Sequence, residues 1–137
     1  MPMKPTILIC DDELSVQAAI RLVLERDYDL SFASDGEEAL RQLRSHPVDL
    51  VLLDIKLPKM DGLEVLNALA TQQPMPRVLM LTAYQSVELA QRATQSGTLD
   101  YVTKPFERDT LLKAVTRALN LPSWQRPGSD RVREQLS

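Results

Sequence analysis

The sequence lacks the features that mark secreted and membrane-spanning chains. It contains a single cysteine, Cys10, so no internal disulfide can form. No run of consecutive apolar residues exceeds four, whereas a membrane-spanning helix needs about 20. The first residues offer neither the apolar stretch nor the small-residue cleavage site of a signal peptide. We therefore expect a cytoplasmic protein that does not enter a membrane.

The chain also lacks an excess of basic residues. Its 16 Lys and Arg residues are outnumbered by 19 Asp and Glu residues, which gives a formal net charge of -3. A protein whose main partner is a nucleic acid normally presents a basic face to the phosphate backbone. The charge balance therefore argues against direct nucleic acid binding.

The length and apolar content predict one folded domain. The chain has 137 residues, 44% of them hydrophobic, which is enough to build a core but leaves no room for a second full domain. We place the domain at residues 1–121. The segment from Pro122 to Ser137 is polar and contains two prolines and one glycine, so it fits either a flexible tail or a truncated linker.

Short apolar runs alternate five times with segments of helical periodicity. This alternation predicts an α/β fold, a doubly wound (βα)5 sandwich of three layers around a parallel sheet. We take the order of its strands to be 2-1-3-4-5, one of the two common doubly wound orders. The predicted strands are β1 (6–10), β2 (28–33), β3 (49–53), β4 (77–81) and β5 (99–103). The predicted helices are α1 (capped by Ser15 and ending at 24), α2 (37–45), α3 (63–71), α4 (87–96) and α5 (capped by Asp109 and ending near 121).

Polar residues follow four of the predicted strands directly. They are Asp11 and Asp12 after β1, Asp54 after β3, Thr82 after β4 and Lys104 after β5. Ligands of open α/β sheets bind at the carboxyl ends of the strands, where the strand order reverses, here between β1 and β3. Neighbouring residues of a strand point to opposite faces, so Asp11 and Asp12 can both serve this site only if β1 ends before them.

Three converging carboxylates must be neutralised by protons or cations. Lys104 supplies one positive charge, and the two remaining negative charges match one divalent cation; an all-oxygen ligand set suits Mg²⁺. A hydroxyl on Thr82 and the ammonium of Lys104 are donors of the kind that a phosphoryl group needs, and Asp54 is the expected nucleophile. These residue types predict phosphoryl transfer to a carboxylate.

The same residues lie in motifs that resemble response-regulator receiver domains of two-component signal transduction, the CheY-like branch of the flavodoxin-like folds. The resemblance covers about residues 5–121. Its motifs are Ile-Leu-Ile-Cys-Asp11-Asp12-Glu, Leu-Leu-Asp54-Ile-Lys-Leu-Pro58-Lys-Met-Asp61-Gly62, Met-Leu-Thr82-Ala83 and Asp-Tyr101-Val-Thr-Lys104-Pro105-Phe106.

The resemblance implies a role for each site residue. Asp54 would be the phosphoacceptor, and Thr82 and Lys104 would contact the phosphoryl oxygens. Mg²⁺, the implied cofactor, would be bound by Asp12, Asp54 and the backbone carbonyl of Lys56, with Asp11 assisting.

The resemblance also implies partners and a conformational switch. The phosphoryl group would come from a sensor histidine kinase or a phosphotransfer protein, and a switch through Thr82 and Tyr101 would alter the α4-β5-α5 surface. The Lys104–Pro105 peptide bond is the one expected to be cis. The cognate kinase and the downstream target or output domain are not predicted, and a phosphorylation-dependent homodimer stays open.

Two other functions compete with this interpretation. A pseudo-receiver would bind partners constitutively without phosphorylation. A phosphatase of the haloacid dehalogenase type would need an acid two residues after Asp54, where this chain has Lys56. We therefore expect no enzyme acting on external substrates, only self-phosphorylation and slow self-dephosphorylation, with Lys56 and Tyr84 shielding the phosphoryl group.

Overall fold

A computed structural model describes residues 4–60, 62–71, 76–83 and 100–120. Apart from residue 99 of β5, the five predicted strands lie in these ranges, as do four of the predicted helices. Predicted helix α4 lies outside them. The strands are β1 (Thr6–Cys10), β2 (Asp29–Ala33), β3 (Leu50–Asp54), β4 (Arg77–Ala83) and β5 (Asp100–Lys104). The helices are α1 (Leu14–Leu24), α2 (Gly36–Ser45), α3 (Gly62–Leu69) and α5 (Arg108–Asn120).

The five strands form one sheet of order β2-β1-β3-β4-β5. Every pairing is parallel, so the predicted topology is confirmed. Strand β3 lies between β1 and β4, and all five of its residues are buried. Its continuous apolar run is typical of a strand that is covered on both faces of the sheet.

Two apolar clusters cover the two faces of the sheet and make the three predicted layers. One cluster joins residues such as Leu8, Val51 and Met80 to helices α2 and α3. The other joins residues such as Ile9 and Leu52 to helices α1 and α5. Because neighbouring residues of a strand point to opposite faces, each apolar strand feeds both clusters.

The strands continue past their apolar runs. Asp54 belongs to β3, Thr82 and Ala83 belong to β4, and Lys104 belongs to β5. Backbone pairing continues at these positions, for example between Asp54 and Leu81 and between Ala83 and Lys104. Asp54, Thr82 and Lys104 therefore lie in the last two residues of paired strands, which fixes their backbone positions.

Two predicted helix caps are wrong. Helix α1 begins at Leu14, with Glu13 at the N-cap position and no side-chain cap. The backbone N–H of Glu13 is bonded to Asp11 Oδ1, so the turn after β1 sets the start of α1 before Ser15 is reached. Asp109 lies within the first turn of α5, where its charge is favourable to the helix dipole, instead of preceding the helix.

Among the helices of the described residues, none has the length and apolar character that crossing a membrane requires.

Candidate functional site

The pleat of the sheet brings three charged residues together at one edge. Ile9, Leu52 and Val102 belong to the cluster under α1 and α5. Two residues further along the chain stand Asp11, directly after β1, and Asp54 and Lys104, the last residues of β3 and β5, which continue on the same face. Strand β1 ends at Cys10, directly before Asp11, as the placement of both Asp11 and Asp12 at the site requires.

The ammonium of Lys104 donates hydrogen bonds to three carboxylates at this edge. Its Nζ donates to Asp11 Oδ2 at 2.8 Å and to Asp54 Oδ2 at 3.0 Å. A third hydrogen bond reaches Glu13 Oε1 at 3.2 Å. An ammonium has three N–H donors, so Lys104 has a carboxylate partner for each of them.

Backbone N–H groups hold the other oxygens of the two buried carboxylates. Asp11 Oδ1 accepts from the N–H of Glu13 at 2.9 Å. Asp54 Oδ1 accepts from the N–H of Lys56 at 3.0 Å. Each carboxylate is thus fixed by one backbone donor and one ammonium donor, which orients it without a metal.

The pKa values of Asp54 and Lys104 both lie above their ordinary values. Burial raises the pKa of Asp54, although the Lys56 N–H and the Lys104 ammonium oppose this by stabilising the carboxylate. Burial alone would lower the pKa of Lys104, but its bonds to Asp11 and Asp54 outweigh burial and raise it. Lys104 is therefore a permanent cation at neutral pH.

Three carboxylates have the geometry of a cation site. One oxygen each from Asp11, Asp12 and Asp54 can be chosen so that all three lie within 4.8 Å of one another. Asp11 and Asp54 are buried, whereas Asp12 is exposed. Hard oxygen ligands with one open side suit Mg²⁺, which keeps several of its water molecules when it binds. The residues present therefore fit the implied metal.

A cleft of about 300 Å³ opens beside the carboxylates. It is lined by Asp12, Glu13, Asp54, Ile55, Lys56, Thr82, Ala83 and Lys104. Thr82 is fully buried, and its hydroxyl donates to the carbonyl of Ala83 at 3.2 Å. The cleft therefore brings the predicted nucleophile, hydroxyl and ammonium to a common space that is open to a ligand.

The loop after β3 is clamped to the start of α2. The N–H of Gly36 donates to the carbonyl of Pro58 at 3.4 Å, and Lys59 Nζ lies 3.5 Å from Asp35 Oδ2. A Cβ atom on Gly36 would lie 2.1 Å from the carbonyl oxygen of Met60, so only glycine fits this close approach. These contacts hold the loop that carries Lys56.

Tyr101 lies on the face of the sheet that is opposite to Asp54. It pairs in register with Met80, two residues before Thr82, so Tyr101 and Thr82 share a face. The ring is half-buried and packs against the cluster under α2 and α3. Tyr84 lies outside the described residues. The Lys104–Pro105 peptide bond, which the resemblance singles out, is cis.

Sequence reasoning missed two residues of the site. The sequence does not identify Glu13 as a partner of Lys104, although an acid directly after Asp11 and Asp12 is a visible signal. For Gly62 the sequence gives only membership of a motif. A Cβ atom there would lie 2.2 Å from the carbonyl oxygen of Asp54, so Gly62 allows α3 to start against the backbone of Asp54.

Comparisons with curated proteins find many similar regulators. The chain is 38% identical over 114 residues to the transcriptional regulatory protein ZraR of Escherichia coli, covering 82% of this chain and 26% of that protein. It is 34% identical over 122 residues to sporulation initiation phosphotransferase F of Bacillus subtilis, covering 88% of this chain and 98% of that protein. The chain thus spans about a quarter of ZraR but nearly all of the Bacillus protein.

Solved structures agree with these relatives. The receiver domain of NtrX from Brucella abortus matches with a TM-score of 0.80 and 31% identity, covering 85% of this chain and 99% of that chain. Chemotaxis protein CheY4 of Vibrio cholerae matches with a TM-score of 0.77 and 30% identity, covering 84% of this chain and 98% of that chain. The family model of the response regulator receiver domain matches residues 7–116. The chain therefore belongs to the response regulator receiver domains of two-component systems.

Proposed function

We propose that this receiver domain accepts a phosphoryl group on Asp54 with the help of Mg²⁺. The donor would be the phosphohistidine of a sensor histidine kinase or of a phosphotransfer protein. The observation that carries the proposal is the position of Asp54, a buried carboxylate held between a backbone N–H and the Lys104 ammonium at the mouth of a cleft. A solubilising surface carboxylate would have no such surroundings.

In this mechanism an oxygen of Asp54 attacks the phosphorus atom. A new P–O bond forms as the P–N bond to the donor imidazole breaks, and the imidazole nitrogen keeps the electron pair. The Lys56 N–H and Lys104 orient the carboxylate before the attack, since each donates to one of its oxygens. When bound, Mg²⁺ would offset negative charge on the phosphoryl oxygens.

The residues that would hold the metal are Asp12, Asp54 and the backbone carbonyl of Lys56, with Asp11 assisting. Their support is the convergence of oxygens from Asp11, Asp12 and Asp54 within 4.8 Å. Asp12 is the exposed member of the set, which leaves one side of the site open for water and the phosphoryl group.

Phosphorylation would add about one negative charge to the edge of the sheet. Lys104 and the hydroxyl of Thr82 would turn to the new phosphoryl oxygens, so Thr82 would give up its bond to Ala83. Movement at Thr82 would change the space beside Tyr101, which shares its face of the sheet. We propose that this switch alters the α4-β5-α5 surface, of which α4 lies outside the described residues.

The phosphorylated state should be long-lived because Lys56 stands at the rim of the cleft. Its side chain is exposed and two residues beyond Asp54, where it can hinder the in-line approach of water. Replacing Lys56 with Ala should shorten the half-life of the acyl phosphate, and we propose the same effect for Tyr84. If the acyl phosphate decays at the wild-type rate in both variants, these side chains do not shield it.

We propose that residues 1–121 form the receiver unit, in line with a family match over residues 7–116, and that 122–137 are a tail or linker. We place the protein in the cytoplasm, with its signal passing to a protein target or output domain. The domain itself would not bind nucleic acid.

The test is intact-mass analysis after incubation with acetyl phosphate, with and without Mg²⁺. Wild type should gain one phosphoryl group only when Mg²⁺ is present, and Asp54→Asn should gain none. Asp27→Asn, which changes an exposed carboxylate in the turn after α1, is the matched control and should behave as wild type. An adduct on Asp54→Asn would refute the phosphoacceptor assignment. Absence of any adduct, also with a panel of histidine kinases, would favour a pseudo-receiver.

A further inference from the structure

Glu13 is a third carboxylate partner of Lys104, and it differs from the other two in exposure. The distance from Lys104 Nζ is 3.2 Å to Glu13, 2.8 Å to Asp11 and 3.0 Å to Asp54. The side chain of Glu13 is 58% exposed, against 0% for Asp11 and 7% for Asp54. Glu13 is therefore the partner that water can replace at the lowest free-energy cost.

The backbone holds Glu13 at the cleft independently of this ion pair. Its N–H donates to Asp11 Oδ1 at 2.9 Å. Its carbonyl accepts from the N–H groups of Val16 and Gln17 at 3.1 and 3.0 Å, which begins α1. The residue lines the cleft together with Asp54 and Lys104. The backbone of Glu13 is thus a fixed part of the site, and its exposed side chain can move between Lys104 and water without leaving the cleft.

We propose that the Glu13 carboxylate sets the rate and metal affinity of the site: it attracts the divalent cation and slows transfer from anionic phosphoryl donors. This inference rests on the proposed function. The carboxylates of Asp11, Asp12 and Asp54 are balanced by Lys104 and one divalent cation. Glu13 adds a fourth carboxylate, which leaves the loaded site with one net negative charge facing a negatively charged donor.

Glu13 also accepts a hydrogen bond from an N–H of Lys104 that the phosphoryl group on Asp54 needs. All three N–H donors of Lys104 have carboxylate partners, so a phosphoryl oxygen can bind Lys104 only after one partner leaves. Asp11 is buried and has no access to water, whereas Glu13 can return to solvent. Release of Glu13 is therefore the step that frees Lys104 for the phosphoryl group.

Acetyl phosphate is a suitable probe because it is small, anionic and independent of protein docking. An oxygen of Asp54 forms a bond to its phosphorus atom, the bond from phosphorus to the bridging oxygen breaks, and acetate leaves with that oxygen and the electron pair. No proton or further reactant is needed. The rate of this transfer therefore reports the charge of the site directly.

The variant that tests the proposal is Glu13→Gln, which removes the charge and keeps the size of the side chain. At saturating Mg²⁺, the rate of phosphorylation by acetyl phosphate should rise roughly three- to tenfold, the effect of one charge acting through a partly screened cleft. The dissociation constant of Mg²⁺, measured by titration calorimetry without any donor, should rise by a similar factor. In this variant phosphorylation would become faster while Mg²⁺ binding becomes weaker. General damage to the fold would instead reduce both.

The dependence of the phosphorylation rate on ionic strength is a second measurement. Repulsion between like charges is screened by salt, so the wild-type rate should increase with ionic strength, and Glu13→Gln should show a flatter dependence. Glu25→Gln makes the same change in net charge at the other end of α1 and should match wild type in rate and metal affinity. Glu13→Asp keeps the charge and should retain the salt dependence.

Two outcomes would overturn the proposal. An unchanged Mg²⁺ dissociation constant would show that the Glu13 charge does not act on the site. A lower rate together with weaker Mg²⁺ binding would show that Glu13 supports the site structurally. If wild type forms no adduct with acetyl phosphate or with the histidine kinases, the proposed function fails, while the calorimetric comparison still decides whether Glu13 belongs to the cation site.

Discussion

Leu52 and Asp54 stand two residues apart on β3, and they show how the middle of the sheet differs from its carboxyl edge. Both side chains lie on the face covered by α1 and α5, and both are buried. Around Leu52 the neighbours are apolar, so burial stabilises the fold. Around Asp54 the neighbours are charged, and burial raises its pKa by disfavouring the carboxylate.

Burial therefore has two different effects in this domain. In the middle of the sheet it removes apolar surface from water and supplies most of the folding free energy. At the edge it holds charged groups in a fixed geometry at some expense in stability, as functional sites commonly do. Substitutions in the two regions should therefore separate stability from chemistry.

The largest expected effect belongs to the middle of the sheet. Leu52→Ala should lower the free energy of unfolding by about 2–5 kcal/mol, because it removes a fully buried side chain and leaves a cavity. Urea denaturation measures this loss. Folded molecules of the variant should still be phosphorylated, since the charged residues of the edge are unchanged.

The control for this variant is Leu22→Ala on α1, where the leucine is 77% exposed. This change should stay within about 0.5 kcal/mol of wild type. Equal losses from both leucines would mean that burial in the sheet is not what stabilises the fold.

Gly62→Ala should disturb both regions at once. Its new methyl group would lie 2.2 Å from the carbonyl oxygen of Asp54 and 2.8 Å from the Cα of Ile55, so the start of α3 must move away from β3. Overpacking of this kind costs about 1–3 kcal/mol. The phosphorylation rate should fall more than the folded fraction does, because the displaced backbone belongs to Asp54.

Asn67→Ala, on the exposed side of the same helix, is the matched control and should lose neither stability nor rate. A Gly62→Ala protein that keeps the wild-type rate would show that the backbone of Asp54 tolerates displacement.

Much of this architecture could be predicted from the sequence because the strong signals are local. The apolar runs of β3 and β4 and the helical periodicity of α1 and α5 are set by residues close in sequence. The residues of the edge followed from where Asp11, Asp54 and Lys104 stand relative to those runs, whereas the strand order is the one that the resemblance to receiver domains implies. The family motifs, which also involve nearby residues, added the roles.

Most of the remaining features depend on contacts between distant segments, which a single sequence does not encode visibly. The ends of β3 and β4 lie further on than the apolar runs, because backbone pairing continues where side chains become polar. The start of α1 is set locally, by the hydrogen bond from the Glu13 N–H to Asp11 Oδ1, but the sequence offered Ser15 as an equally plausible cap. The contact of the Glu13 carboxylate depends on Lys104, which is 91 residues away.

The pH dependence of stability should reveal the penalty of burying Asp54. Its folded-state pKa is raised above the ordinary value of 3.8, so the folded protein takes up a proton more readily than the unfolded chain. The contribution of Asp54 to the wild-type free energy of unfolding should therefore fall as the pH rises from 3.8 through its folded-state pKa. Asp54→Asn lacks this titration.

Denaturation in Mg²⁺-free buffer at several pH values measures this effect. The stability of Asp54→Asn relative to wild type should increase as the pH rises through that window, and it should level off above it. The Lys104 ammonium stays charged throughout and does not contribute a slope. A relative stability that decreases with rising pH would show that Lys104 lowers the Asp54 pKa more than burial raises it.

The smallest expected effect concerns the hydroxyl of Ser31, which is buried away from the carboxyl ends of the strands. Ser31 on β2 pairs with Leu8, and its hydroxyl is buried without a hydrogen-bond partner among the described residues. Ser31→Ala removes this unpaired group and should raise the free energy of unfolding by up to about 1 kcal/mol, with no change in phosphorylation. Ser45→Ala is the control, because the exposed hydroxyl of Ser45 donates to the carbonyl of Arg41 and should give no gain. If Ser31→Ala slowed phosphorylation, the division between a stabilising interior and a functional edge would not hold, since a buried polar group of β2 would then serve the chemistry at the end of β3.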